Sequence, residues 1–264
     1  MNKYYLSYLS KIPGVNSIIS IFEKENTELR FVGGVVRNLV LGRKSKDIDC
    51  AINIKVDEVI KILRSNNYET NDYAKKYGCI SIIIEDQKFE ITSLRKDLNQ
   101  KGRKTEIEYT NDWKIDANRR DFTFNALYLR SNGEIVDYFE GLKDLRDNKV
   151  KFIGEIEKSI NEDFLRIFRY YRFLGIFKNP NIIKEYDTII EKNFYKSFKN
   201  ITKEMIRAEM LKMIENPYAL NSFVDIKNNH QKKYWLLMTE KYFINKKYKL
   251  GLEKCLNKIE VFFN

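Results

Sequence analysis

Two acidic residues, Asp47 and Asp49, follow a glycine pair, Gly33 and Gly34, after a short apolar stretch. Side chains alternate across a strand, so these aspartates share one face if the segment is extended. Two carboxylates held this way can bind a pair of divalent cations about 3.5–4 Å apart. The glycines permit a sharp turn and a close approach to a ligand, and the start of a following helix favours an anion. The pattern indicates chemistry on a nucleoside triphosphate.

A third carboxylate, Glu90, lies in the later run Phe89–Thr92, on the face opposite Phe89 and Ile91. If that run neighbours the one carrying the aspartates, three carboxylates converge, which would hold metal ions and help to deprotonate an attacking hydroxyl. A solvent-facing strand glutamate is the alternative, and a DxD pair alone is weak. The ordered set of glycine pair, helix, aspartates and later glutamate favours the site.

The elements that would position these residues alternate up to about residue 150. Glu85–Lys88 and Asn132-Gly133 read as hairpin turns, the second joining Phe124–Leu129 to Ile135–Tyr138. From Glu155 onward, helical spacing takes over. The predicted strands are Leu29–Val32, Asp47–Ile52, Tyr68–Ala74, Ile80–Ile84 and Phe89–Thr92, and the predicted helices are Val35–Leu41, Val56–Asn67, Phe164–Phe177 and Lys203–Ile214.

The composition favours a polyanionic partner. The 264 residues carry a formal net charge of +11, and 14% of them are aromatic. Cations neutralise phosphates and rings stack on bases, so this balance favours a nucleic acid, the alternative being a lysine-rich solvated surface. Cys50, Cys79 and Cys255 form no CxxC pair, which indicates a reducing, cytoplasmic location and no zinc site. No run is apolar enough for a membrane, and a single histidine, His230, argues against a histidine base.

Four segments resemble motifs of one known family. Residues 33–49 read GGVVRNLVLGRKSKDID, similar to GGxVRDxLLGRxxxDxD, and residues 119–126 read RRDFTFNA, similar to RRDFTxNA. Residues 162–173 read EDFLRIFRYYRF, similar to EDxLRxxRxxRF, and residues 201–211 resemble a later neck motif. In this order the motifs resemble the class II tRNA nucleotidyltransferases, which are CCA-adding enzymes, and the related bacterial poly(A) polymerases. Asn38 departs from the usual Asp, which puts a contact near the triphosphate or ribose in doubt.

The resemblance implies a role for each matched residue. Asp47 and Asp49 would bind Mg²⁺, and Glu90 would support the attacking 3′-hydroxyl of the RNA. The alternative for the second motif is a basic helix cap that leads into a strand. The remaining implied nucleotide-binding residues are Gly33, Gly34 and Arg37 at the triphosphate, Arg119, Arg120, Asp121 and Asn125 around the ribose and phosphates, and Asp163, Arg166, Arg169 and Arg172 in the third motif.

The third motif also has a chemical rationale. Cytosine and adenine each present an amino donor beside a ring-nitrogen acceptor, whereas uracil and guanine present a carbonyl beside an N–H donor. Asp163 accepts and Arg166 donates, at a spacing of one helical turn, so the pair suits C or A. A mismatched base would leave buried groups unpaired at a cost of about 1–3 kcal/mol. Ordinary helix ion pairs of about 0.2–0.5 kcal/mol are the alternative.

Two further regions have open interpretations. The polar stretch Lys96–Thr105 lies where the family carries a flexible loop that helps the switch from C to A; a surface loop without a task is the alternative. Residues 216–264 are rich in Lys, Tyr and Phe, and either hold RNA or form a lysine-coated helical pair. Family members continue through longer helical regions, so a partner subunit or a homo-oligomer stays open.

These observations predict an α+β chain. It would comprise a nucleotidyltransferase-fold head with a small mixed sheet and flanking helices (residues 1–150), an all-helical neck (151–215) and a short body (216–264). The expected reaction is Mg²⁺-dependent, template-independent addition of C and A from CTP and ATP to the tRNA 3′ end, releasing pyrophosphate. A poly(A) polymerase, a CC-adding or A-adding enzyme, a catalytically silent RNA-binding protein and a small-molecule nucleotidyltransferase are the alternatives.

Overall fold

The structure is a computed structural model, and it describes residues 2–45, 47–101 and 104–222. The chain divides into two compact units, one of residues 1–147 with 151–163 and the other of residues 148–150 with 164–264. No helix in the described ranges has both the length and the apolar character needed to cross a bilayer.

The first unit contains eight strands among its described residues. A mixed sheet of six strands has the order β3-β4-β2-β1-β7-β8, in which β2 and β4 run parallel and every other pair is antiparallel. The strands β5 and β6 form a separate two-stranded antiparallel ribbon. In chain order the eight strands are β1 (Leu29–Val32), β2 (Ile48–Ile52), β3 (Cys79–Ile84), β4 (Gln87–Ser93), β5 (Arg95–Lys101), β6 (Lys104–Tyr109), β7 (Leu127–Arg130) and β8 (Ile135–Asp137).

Helices flank this sheet because their apolar residues recur at helical spacing. Helix α4 buries Val56, Val59, Ile60 and Leu63 on one face, which contacts β3, and α2 contacts α4 and β1. The seven helices described in this unit are α1 (Asn2–Leu9), α2 (Val15–Lys24), α3 (Gly34–Val40), α4 (Val56–Ser65), α5 (Trp113–Asn118), α6 (Gly141–Arg146) and α7 (Ile156–Glu162). The predicted α+β class with a small mixed sheet is confirmed.

Both predicted hairpins are present. Glu85 and Asp86 have φ of 52° and 62°, the left-handed values that a tight two-residue turn between β3 and β4 requires. The Glu85 carboxylate accepts hydrogen bonds from Gly14 N (2.9 Å) and Ser17 Oγ (2.6 Å), which ties this turn to the start of α2. Asn132-Gly133 joins β7 to β8, although Phe124 lies in a 3-10 turn before β7 rather than in the strand.

The predicted strand Tyr68–Ala74 is wrong. Only Asn71 pairs, in an isolated bridge with Ser81 of β3. The Asn71 side chain then accepts a hydrogen bond from Tyr73 N at 3.1 Å, and a 3-10 turn follows at Lys75–Tyr77. Asn and Asp side chains favour such local turns over a strand ladder, and this preference outweighs the apolar character of the tyrosines.

The polar stretch after Arg95 is a ribbon rather than a loop. Arg95 pairs with Tyr109 and Leu98 with Glu106, so β5 and β6 form a hairpin whose connection, residues 102–103, lies outside the described residues. The Arg95 guanidinium donates to Tyr77 O, and Thr110 N donates to Leu94 O at 3.0 Å, which fixes the base of the ribbon. The interpretation of the whole stretch as a flexible loop is therefore corrected.

The second unit is helical within its described residues. Its helices are α8 (Leu165–Leu174), α9 (Glu185–Asn200) and α10 (Lys203–Ile214). Helix α8 contacts both others and is buried along most of its length, with Phe168 close to Phe194 of α9. The two predicted neck helices are thus present. The division into head, neck and body stays a prediction, and residues 223–264, which contain most of the proposed body, lie outside the described residues.

Candidate active site

The parallel pairing of β2 with β4 places Asp49 directly opposite Glu90. Paired residues of neighbouring strands project from the same face of a sheet, so the two carboxylates are neighbours on one surface. Asp49 is partly buried, whereas Asp47 lies just before β2 and is exposed. The sequence prediction that the Glu90 strand neighbours the aspartate strand is confirmed by the register.

The electrostatics of Asp49 reflect this crowding. Burial has the largest effect and raises the pKa of its carboxyl, and the nearby Glu90 and Asp47 carboxylates raise the pKa further. The guanidinium groups of Arg120 and Arg37 act in the opposite direction and lower it. The net pKa is raised, so the ionised form of Asp49 lowers the stability of the folded protein. A divalent cation at this position would relieve that cost.

The acidic side chains at this surface do not form a closed set of metal ligands. Within residues 2–45, 47–101 and 104–222, no three His, Cys, Asp or Glu side chains are gathered as ligands of one ion. The Glu90 carboxylate is instead paired with Lys88 Nζ at 2.6 Å. The expectation of three converged carboxylates is therefore corrected to a facing pair, Asp49 and Glu90, with Asp47 at its edge. Carboxylate oxygens are the ligands that Mg²⁺ prefers, so the residue types fit such an ion.

The glycine turn lies beside this acidic face. Gly33 has φ 74° and ψ −124°, a conformation that side chains with a Cβ avoid, and Gly34 begins α3. A Cβ built on Gly33 would lie 3.8 Å from Asp49 Oδ2 and 3.6 Å from Arg120 Nη1. A Cβ built on Gly34 would meet only Arg37 Nη2 within 4 Å, among the described atoms. The turn is therefore flanked by Asp49 and Arg120, and a Cβ on Gly34 would make only ordinary contact with Arg37.

A chain of hydrogen bonds connects the first two motifs. Arg37 Nη1 donates to Asn125 Oδ1 (2.8 Å), and Asn125 Nδ2 donates to Asp121 Oδ1 (3.0 Å). Asn38, the departure from the family motif, accepts from Arg37 Nη2 at 3.0 Å and donates to Ser45 Oγ at 2.9 Å. Asp121 and Asn125 are buried, so their positions are fixed by these contacts. The structure thus brings Arg37, Asp121 and Asn125 together.

Arg119 and Arg120 are organised by a residue that the sequence analysis did not single out. Asp116 is 1% exposed and pairs with Arg119 Nη2 (2.8 Å) and Arg120 Nη2 (3.2 Å), and its Oδ2 accepts from Tyr128 OH (2.6 Å). Burial raises the pKa of the Asp116 carboxyl, but Arg119, Arg120 and the Tyr128 hydroxyl outweigh it and lower the pKa to about 2. The spacing of Asp116 from the arginines, i to i+3 and i+4, is the signal that could have found it.

The third motif differs from the expected helix. Helix α7 ends at Glu162, Asp163 has extended φ and ψ of −149° and 104°, and α8 begins at Leu165. The premise that Asp163 and Arg166 are one turn apart on a single helix is wrong, because α7 ends before Asp163 and only Arg166 lies on α8. Asp163 belongs to the first unit and Arg166, which is buried, belongs to the second.

The last two arginines of that motif lie on α8 near Phe173. The Arg169 guanidinium carbon is 5.9 Å from the centre of the Phe173 ring, and that of Arg172 is 4.0 Å from it. Arg172 Nε also donates to Glu209 Oε2 of α10 at 2.5 Å. Arg172 therefore joins two helices of the second unit, a structural contact that its sequence pattern did not indicate.

Comparison with known proteins agrees with the motifs. A family model described as the poly A polymerase head domain matches residues 29–151. The human mitochondrial CCA tRNA nucleotidyltransferase 1 is 42% identical over 163 residues, which cover 61% of this chain and 38% of that protein. The chain belongs to the class II tRNA nucleotidyltransferase and poly(A) polymerase family.

Other members of this family match over similar lengths. The Enterococcus faecalis CCA-adding enzyme is 32% identical over 199 residues, which are 75% of this chain and 48% of that enzyme. The crystal structure of the Bacillus stearothermophilus CCA-adding enzyme in complex with CTP has a TM-score of 0.72 at 27% identity, covering 83% of this chain and 52% of that one. The chain spans about half the length of these two family members.

Proposed function

We propose that this protein adds C and A nucleotides to the 3′ end of tRNA from CTP and ATP, without a template and with release of pyrophosphate. The observation that carries the proposal is the register that sets Asp49 opposite Glu90 beside the Gly33 turn. The names of the human and Enterococcus relatives, and the CTP held by the Bacillus enzyme, support the substrates.

Each side chain near the turn has a defined task in this reaction. Asp47 and Asp49 would hold Mg²⁺, which supplies charge stabilisation on the phosphates and lowers the pKa of the attacking hydroxyl. Glu90, beside Asp49, supports the tRNA 3′-hydroxyl as it approaches the α-phosphate. Gly34 leaves room for the triphosphate, and Arg37 and Arg120 offset its negative charge.

Further residues would recognise the rest of the nucleotide. Asp121 is the ribose contact, held in place by Asn125, while Arg119 stands on the phosphate side. The likeness of the third motif to that of the family supports Asp163, Arg166, Arg169 and Arg172, each taken separately, as contacts of the nucleotide. Arg166, Arg169 and Arg172 lie on α8.

A reducing, cytoplasmic location accompanies the proposed function. Cys50 is buried in β2 and Cys79 is partly buried at the start of β3, and both are free thiols. Free thiols of this kind are typical of proteins in reducing compartments. Alkylation of the native protein from cell extracts, with and without prior reduction, would test it. Equal labelling in the two samples is expected.

The direct test offers three tRNA substrates, ending before CCA, at C and at CC, each with one labelled nucleotide and MgCl₂. Ordered addition of C, C and A that then stops is expected. An open-ended A tail would instead assign a poly(A) polymerase. Addition of C alone or of A alone would assign a partial adder.

A matched pair of variants separates an enzyme from a silent RNA-binding protein. Asp49→Asn should lower nucleotide addition about a hundredfold or more while tRNA binding persists. Asp86→Asn removes an exposed carboxylate from the β3–β4 turn, at a φ of 62° that Asn tolerates, and should leave addition unchanged. A wild-type protein that binds tRNA and adds no nucleotide to any of the three substrates would overturn the proposal.

A further inference from the structure

The guanidinium of Arg120 is anchored from behind by two side chains. Its Nη2 donates to Asp116 Oδ2 (3.2 Å), and its Nε donates to Tyr128 OH (3.3 Å). The same Tyr128 hydroxyl donates to Asp116 Oδ2 (2.6 Å). Arg120, Asp116 and Tyr128 therefore form a closed triangle of hydrogen bonds, which fixes the plane of the guanidinium.

The remaining nitrogen of that guanidinium points the other way. Nη1 lies 3.6 Å from the position of a Cβ on Gly33, on the side of the turn where Asp49 Oδ2 also lies. Among the described residues, Nη1 donates no hydrogen bond to a protein acceptor. The group is charged, only 17% exposed and held beside the glycine turn. It thus presents one N–H edge to whatever occupies this space.

The anchor is itself rigid. Tyr128 is fully buried, and its ring meets those of Trp113 (centroids 5.5 Å apart) and Tyr138 (6.0 Å) edge to face. Asp116 accepts a further hydrogen bond from Arg95 N at 3.3 Å. The Tyr128 backbone pairs with Val32, the residue before Gly33, whereas its hydroxyl contacts Asp116 and Arg120. The hydroxyl therefore acts on the turn through Arg120.

We propose that Asp116 and Tyr128 are positioning residues that hold Arg120 so that its Nη1 contacts a phosphate of the incoming nucleoside triphosphate. The proposal rests on the proposed function for the identity of the ligand. Holding the guanidinium in advance removes the entropic cost of ordering a long side chain when the nucleotide binds. Tyr128 is the more informative member, because removal of its hydroxyl keeps the ring in the core.

The test measures the binding of CTP with MgCl₂ by titration calorimetry, alongside nucleotide addition, for the full chain. Tyr128→Phe is compared with a control variant, Tyr138→Phe, in the same aromatic cluster. The Tyr138 hydroxyl accepts a hydrogen bond from Arg30 Nη1 (3.2 Å) and not from Arg120. Tyr128→Phe should raise the Kd for CTP about tenfold, since hydrogen bonds to charged groups are the stronger class. Tyr138→Phe should match the wild type in Kd and addition.

A double-mutant cycle excludes a merely structural role. If Tyr128 acts through Arg120, then Tyr128→Phe in an Arg120→Met background changes the Kd by less than about twofold. Asp116→Asn, which retains one oxygen acceptor, should weaken CTP binding in the same direction. Thermal melts show whether each variant is folded before its Kd is interpreted.

Each outcome distinguishes this inference from the proposed function. Wild-type protein that binds CTP and adds nothing to tRNA overturns the function only, and the Kd values of the variants still decide the positioning role. Equal CTP binding by Tyr128→Phe and the wild type overturns the inference. So does an equal loss in the wild-type and Arg120→Met backgrounds. Wild-type protein that fails to bind CTP overturns both.

Discussion

Asp49 is held in a state that costs stability to the empty protein. Its pKa is raised by burial, by Glu90 and by Asp47, so the ionised carboxylate is disfavoured in the fold relative to the unfolded chain. Linkage then requires stability to fall as pH rises from the ordinary value of 3.8 through the raised one. Residues that bind metal or substrate commonly carry such a cost.

Replacement of Asp49 by Asn should separate stability from activity. At neutral pH we expect Asp49→Asn to have a higher Tm than the wild type without metal, and the difference should disappear below about pH 3.8, where Asp49 is protonated in both states. Nucleotide addition should fall about a hundredfold or more, since a metal site supplies several kcal/mol to the transition state. Calorimetric melts across pH, with and without MgCl₂, provide the measurement. A lower Tm for the variant at pH 7 would contradict it.

The two glycines of the turn should respond differently to substitution. Gly33→Ala forces a Cβ into a positive-φ conformation and should cost about 1–3 kcal/mol of stability. Gly34→Ala adds a Cβ in the first turn of α3 with ordinary contact to Arg37, so its Tm should hold while CTP binding weakens. Urea denaturation and calorimetry of the two variants test this pair. Equal loss of stability in both would show that space, not backbone conformation, governs the turn.

At the scale of elements, the contact between α8 and α10 depends on a buried ion pair. Glu209 is 3% exposed and accepts from Arg172, so removal of its carboxylate leaves a nearly buried guanidinium without this partner. We expect Glu209→Ala to lower the free energy of unfolding by about 3–5 kcal/mol. Lys212→Ala removes an exposed cation 3.6 Å from the same carboxylate and should change it by less than about 1 kcal/mol.

Urea titrations of the two variants, followed by circular dichroism, measure this difference. The comparison also tests how Arg172 is used. If Arg172 is committed to Glu209, as the distances indicate, then Glu209→Ala weakens CTP binding only to the extent that it unfolds the second unit. A variant that keeps its stability and loses CTP binding would assign Arg172 to the nucleotide instead.

The elements in which apolar periodicity dominates could be predicted from the sequence. The strands β1 and β2 and the helices α4 and α10 follow patterns of two or of 3.6 residues, and their observed bounds lie close to the predicted ones. The strand predicted at Tyr68–Ala74 is absent because Asn71 favours a turn. Strand β6 was not predicted, because the charged residues around the alternating segment Thr105–Tyr109 are typical of a loop.

At the scale of the whole molecule, the positive charge should govern binding to RNA. The excess of 48 Lys and Arg over 37 Asp and Glu means that tRNA binding releases counterions. We expect affinity for tRNA to fall at least about a hundredfold between about 50 and 200 mM KCl, as four or more phosphate contacts require. Fluorescence anisotropy with labelled tRNA, beside an unrelated RNA of equal length, gives the slope. A flat salt dependence would contradict a charge-driven interface.

The site was predictable from sequence to the extent that it follows strand register. Asp49 and Glu90 could be assigned to one face by alternation, and the glycine turn by its residue types. Asp116 left only the weak signal of its spacing from Arg119 and Arg120. Tyr128 could not be recognised from the sequence, because its significance comes from a contact with Arg120 that no local pattern marks. The interruption of the helix at Asp163 could not be predicted, because the residue spacing of the third motif is also that of a continuous helix.

The parallel neighbours β2 and β4 have a consequence for how activity is lost. The chain leaves β2 through α4 and returns along the outermost strand, β3, before β4 supplies Glu90. The exposed Glu85 side chain ties this turn to the start of α2 by two hydrogen bonds, and β3 has a neighbouring strand on one side only, so this border of the sheet should open before the centre does. Nucleotide addition should therefore be lost at lower denaturant concentrations than the ellipticity of the protein. The reason is that Asp49 and Glu90 separate before the rest of the sheet unfolds.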